Sequence, residues 1–145
     1  MKKILIINGP NLNLLGKREK EIYGDEGFDP LLKDMDTIAK NKNIGLSYMQ
    51  SNDEGRIIDE LHSCSSNTDF IIINPGALTH YSYSLYDALR SIDIPAIEVH
   101  ISNIYKREEW RRNSVISTAV IGVISGLGLE GYKAALTFAI FYLNK

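Results

Sequence analysis

Residues 4–7 and 70–73 are apolar without interruption. A half-buried strand alternates, so unbroken runs this short point to parallel strands covered on both faces. With these cores, the stretches 3–8, 45–50, 69–74, 95–100 and 118–125 make five candidate strands. Between them the period changes. Phe28, Leu31, Leu32, Met35, Ile38 and Ala39 recur at helical spacing, and Asp29 with Pro30 reads as an N-cap and first-turn pair. Ile57, Ile58, Leu61 and Cys64 fall on one side of a second helix. The stretches 82–91 and 129–144 supply two more, the last apolar around much of its circumference. Strand and helix alternate throughout. The pattern predicts an α/β fold: a doubly wound five-stranded parallel sheet, helices on both faces, right-handed crossovers. No linker or repeat interrupts it, so residues 1–145 read as a single domain.

Composition narrows the class of partner. A chain of 145 residues, 44% hydrophobic and 23% charged, is long enough for a real core. A formal charge of −2 lacks the basic footprint of a nucleic-acid binder. The lone Cys64 excludes an internal disulfide framework and fits a reducing compartment. The opening "MKKILIING" has too short an apolar run for a signal peptide, and nothing approaches the ~18 apolar residues of a membrane span. A cytoplasmic location is expected.

In a doubly wound sheet, ligands bind beyond the strands' carboxyl ends. The residues there are Asn8, Asn11 and Asn13 after the first strand, and Gln50, Ser51 and Asn52 after the second. Asn74 follows the third, and His100 and Ser102 end the fourth. This rim of hydrogen-bonding groups suits a polar, oxygen-rich ligand.

Several motifs add chemistry. In "AIEVHIS", Glu98 and His100 stand two apart on a strand and share a face; a carboxylate beside an imidazole suits a general acid, or simply a hydrogen bond within the fold. "GKREKEIYG" sets Arg18 five residues before Tyr23. A guanidinium could lower the tyrosine's pKa enough for a base, or the segment could be a solvated charge run. "NPGALTHYSYSLYDALR" carries His80, Ser82 as a helix cap, and Asp87, three before Arg90 as a surface pair would be. "YKREEWRRNS" reads as an anion site or a solvated amphipathic helix. "GLGLEG" matches a dinucleotide fingerprint, but the sequence ends at Lys145 without the further strand and acidic residue that motif needs; its glycines fit close helix–strand packing. His62, His80 and His100 are scattered and Cys64 sits in a helical pattern, so no metal site is expected.

Taken together, "NGPNLNLLGKRE…YG", "QSNDEGRIIDELH", "NPGALTHYSYSLYDAL", "EVHISN…REEWRRNS" and "GVISGLGLEGYKAAL" resemble the type II 3-dehydroquinate dehydratases over nearly the whole chain. The resemblance implies a flavodoxin-like fold, cofactor-free anti elimination of water from 3-dehydroquinate to 3-dehydroshikimate through an enolate, and a place in aromatic amino acid biosynthesis by the shikimate pathway. It implies that Tyr23 is the base as a tyrosinate, that Arg18 holds it ionised from a mobile lid at about residues 17–25, and that Asn11 orients a water on the enolate oxygen. His100 would protonate the departing hydroxyl while Glu98 orients it. Asn74, His80, Arg111 and the backbone around Ile101 and Ser102 would bind substrate. Asp87 would reach a neighbouring subunit's site in a dodecamer built from trimers.

Two positions depart from the family's pattern: Lys20 replaces a usual lid proline, and Leu78 a common aromatic residue. Neither has a chemical role. A flavin-mononucleotide-binding module is the main rival, weakened because "GPNLNLLG" has no Ser or Thr to cradle a phosphate. A degenerate, regulatory homologue is the other, set against the presence of Asn11, Arg18, Tyr23, Glu98 and His100.

Overall fold

Strand β1 (Lys2–Asn8) pairs in parallel on both sides, which is why its apolar run is unbroken. The computed structural model describes residues 1–16 and 27–145. Strands β2 (Ile44–Gln50), β3 (Phe70–Asn74), β4 (Ala96–His100) and β5 (Gly122–Ser125) complete one parallel sheet in the order β2-β1-β3-β4-β5. Side-chain alternation sorts the core. Ile4, Ile6, Phe70, Ile72, Ile97 and Val99 pack with helices α1 (Asp29–Asn41) and α4 (Glu130–Leu143). Leu5, Ile7, Ile71, Ile73 and Ala96 face α2 (Glu54–Ser63) and α3 (Tyr83–Arg90) on the other side. Cys64 lies in that second layer, where burial pushes its thiol pKa up; it is core, as its helical pattern suggested. Among the described residues, no helix is long and apolar enough to cross a membrane.

The sequence erred locally in three places. Phe28, not Asp29, caps α1, so Asp29 and Pro30 are its first two residues. The fifth strand begins at Gly122, after a 3₁₀ turn at Ser117–Ala119; it is a sheet edge, with Ile121 and Val123 exposed. Residues 105–114 form no regular helix but two 3₁₀ turns, Ile104–Lys106 and Glu109–Arg112, because the stretch has no apolar stripe to bury. Ser82 does cap α3, accepting from Leu85 N–H at 3.0 Å, and its hydroxyl also donates to Glu54 at the start of α2.

The sheet order reverses between β1 and β3, and the loops leaving these two strands cross there. A Cβ built on Gly9 would lie 2.4 Å from the carbonyl oxygen of Pro75, and Gly76 adopts φ 62° close to the Pro10 carbonyl. Gly9 N–H donates to Asn74 O at 2.8 Å, tying the crossing together. The opposing atoms are backbone, so they yield only by moving the loop. Gly9→Ala is expected to cost about 1–3 kcal/mol of stability, read as a lower denaturation midpoint in urea.

Candidate active site

Beyond the carboxyl ends of β1, β3 and β4 the crossing loops wall a cavity of about 130 Å³. Open α/β sheets bind ligands at such a switch point. Asn11, Asn74, His80, His100, Ile101, Ser102 and Arg111 all line it. The fold thus brings these seven sequence-named residues to one cavity.

Glu98 sits one layer behind, fully buried. Period-two alternation puts it on the same side of β4 as His100, and its Oε2 lies 2.5 Å from His100 Nε2. Thr79 Oγ1 donates to the same oxygen at 2.7 Å, and Ser114 Oγ reaches both carboxylate oxygens at 3.0 and 3.1 Å. Burial alone would push the Glu98 carboxyl up, but the bond from His100, its charge, and the two hydroxyls outweigh it, and the net shift is downward. Glu98 is thus an anion that can orient His100 and stabilise its imidazolium form. A carboxyl depressed in the folded state adds stability above its unfolded value of ~4.3 and loses it as pH falls through the lower, folded one. The stability advantage of wild type over Glu98→Gln is therefore expected to shrink on acidification below about pH 4.3, measured by denaturant titration.

His80 plays a different part. Its Nδ1 lies 2.8 Å from the carbonyl of Asn113 and must donate, leaving Nε2 as an acceptor. Burial lowers its pKa, helped by the charges of His100 and Arg111 and opposed by the Asn113 carbonyl, so it is neutral at neutral pH. Arg111 stacks 4.1 Å from the Trp110 ring centre, Trp110 stands edge-on to His80 at 5.2 Å, and the His80 ring lies 6.5 Å from that of His100. Arg111 also donates to Glu108 at 2.9 Å. The basic stretch 105–114 thus supplies two cations, Arg107 and Arg111, to the cavity wall.

Asn74 is fixed by two bonds: its Oδ1 accepts Gly76 N–H at 3.1 Å and its Nδ2 donates to Tyr132 Oη at 2.9 Å. Tyr132, fully buried on α4, donates in turn to Asn8 Oδ1 at 2.7 Å. Asn8 therefore belongs to the core rather than to the rim where the sequence placed it. Gln50 and Asn52 grip the loop after β1 instead of facing the cavity.

Asp87 is exposed on α3 and does not line the cavity of its own chain; among the described residues it forms no ion pair with Arg90. Arg18, Tyr23, Lys20 and the lid at 17–25 lie outside the described residues. Sequence reasoning missed Arg107, which lines the cavity and donates to Ser102 Oγ at 3.1 Å, together with Thr79, Ser114 and Tyr132. Two of the "GLGLEG" glycines serve packing: Gly126 takes φ 93° against Asn103, and a Cβ on Gly131 would touch Ile124 and Val99.

A buried histidine–carboxylate pair at a cation-walled cavity, at the switch point of a 2-1-3-4-5 sheet, places the chain among flavodoxin-like α/β enzymes. The family model for class II dehydroquinases matches residues 2–140, and the chain belongs to that family. It is 56% identical to the 3-dehydroquinate dehydratase of Caldicellulosiruptor saccharolyticus over 94% of each chain. Among solved structures, the type II dehydroquinase of Butyrivibrio crossotus superimposes with a TM-score of 0.90 at 52% identity, covering 94% of this chain and 96% of that one. That of Propionibacterium acnes gives 0.92 at 41% identity, covering 97% of each.

Proposed function

We propose that the protein is a 3-dehydroquinate dehydratase that eliminates water in the anti sense through an enolate, in the shikimate pathway of the cytoplasm. The observation that carries the reading is the buried Glu98–His100 pair, 2.5 Å apart, with His100 facing the cavity.

The chemistry needs a base, an oxyanion stabiliser and an acid. Tyr23, as tyrosinate, takes the C2 proton beside the C3 ketone, and the electron pair moves onto the carbonyl oxygen. Asn11 orients a water against that enolate oxygen. Collapse of the enolate expels the C1 hydroxyl, which leaves as water with a proton from His100 and gives the conjugated enone. Neutral His80 accepts a hydrogen bond from a substrate hydroxyl, and Asn74, Arg111 and the backbone of Ile101 and Ser102 bind the remaining hydroxyls and the carboxylate. No cofactor or metal enters this scheme. The whole chain acts as one catalytic domain with Arg18 and Tyr23 on a closing lid. Exposed on α3 and away from its own cavity, Asp87 is free to complete a neighbour's site in a dodecamer of trimers; a solution mass near that of a monomer would overturn this assembly.

Adding 3-dehydroquinate to metal-free protein is expected to raise the ultraviolet absorbance of the enone. No rise would remove the dehydratase reading, and a flavin co-purifying with the inactive protein would favour the binding-module alternative.

A further inference from the structure

We propose that Asn52 is a positioning residue for Asn11, holding it in the left-handed backbone conformation that sets its carboxamide at the cavity. Asn11 has φ 71° and ψ −3°. Among the described residues only one other non-glycine, Asn43, has positive φ. Asparagine enters this region more readily than other residues with a Cβ, yet the conformation is uncommon and is selected by its surroundings. Here the enforcing contact comes from the loop after β2. Asn52 Oδ1 accepts the backbone N–H of Asn11 at 2.9 Å. The same oxygen accepts from Gln50 Nε2 at 3.2 Å, and Gln50 Nε2 also reaches the Gly9 carbonyl at 3.2 Å. Ser51 N–H donates to Asn8 O at 3.0 Å, extending the β1–β2 pairing to the point where Asn52 meets Asn11.

The "QSN" triplet thus forms a clasp on the "GPN" turn. Asn11 begins the 3₁₀ turn Leu12–Leu14 yet makes no side-chain capping bond to it, so its carboxamide is left for the cavity it lines. The β2 loop, which contributes no side chain to the cavity wall, reaches Asn11 itself through the Asn52 contact. The inference rests on the reading of Asn11 as the residue that orients a water on the enolate oxygen.

Asn52→Ala is expected to lower kcat about three- to tenfold, the worth of one hydrogen bond, with KM within about twofold of wild type. Asn52→Asp keeps the acceptor and is expected to restore most of kcat. Asn11→Gly supplies the background that separates positioning from general damage, because glycine takes positive φ without strain and lacks the carboxamide. If Asn52 acts through Asn11, adding Asn52→Ala to Asn11→Gly leaves kcat unchanged. The same fractional loss in both backgrounds, or wild-type kcat in Asn52→Ala, overturns the clasp. An Asn11→Gly variant that retains wild-type kcat instead overturns the role of Asn11, and the clasp with it.

Discussion

Replacing His100 with alanine is expected to lower kcat by about 10²–10⁴-fold, the usual contribution of a positioned general acid, while KM changes far less. Hydroxide is a poor leaving group, so without a proton donor the enolate returns to ketone faster than it expels the C1 oxygen. The binding groups survive the change. Asn74 is fixed by Gly76 and Tyr132, His80 by Asn113, and Arg111 by Trp110 and Glu108; none depends on the His100 side chain for its placement. Glu98 keeps the hydroxyls of Thr79 and Ser114 after the imidazole is gone, so the variant is expected to fold. Steady-state kinetics at saturating substrate decide the matter. A kcat within about threefold of wild type would take the proton-donor role from His100.

The layers of the fold were legible because burial on two faces imposes continuous apolar runs on β1 and β3 and 3.6-residue periodicity on the helices. The same logic misplaced the start of the fifth strand, expected over 118–125. The apolar content of that stretch reflects exposed side chains, Ile121 just ahead of β5 and Val123 within it, as much as core, and hydropathy cannot separate an uncovered edge from a buried strand. At the site, Glu98 and His100 could be paired from sequence because they share one strand. The hydroxyls that complete their environment could not. Thr79 lies within the 3₁₀ turn Gly76–His80 and Ser114 follows another, respectively 19 and 16 positions from Glu98, and neither has periodicity to mark it. Tyr132 was hidden for the opposite reason: α4 is apolar around most of its circumference, so its aromatic ring read as core and its hydroxyl was invisible. Arg107 stood among three other cations that looked equally solvated. What distinguished it was the turn that follows β4, a tertiary feature.

Tyr23→Phe is the other change with a large expected effect: a loss of about 10²–10⁴-fold in kcat with folding unaffected, since it removes one hydroxyl and the only base the scheme contains. A tyrosine titrates near 10 unless a cation intervenes, leaving only about one molecule in a thousand ionised at pH 7. Because the scheme needs Tyr23 ionised and His100 protonated, kcat/KM in wild type is expected to be bell-shaped in pH, with the tyrosine contributing the limb that rises with pH. Arg18→Ala removes the nearby positive charge, raises the tyrosine's pKa, and is expected to move the acid limb upward toward ~10. At neutral pH the variant is therefore expected to be slow, with its pH optimum displaced upward from that of wild type. Near-normal turnover of Arg18→Ala at neutral pH, with the limb unmoved, would mean that the proton is taken by a group other than a guanidinium-stabilised tyrosinate.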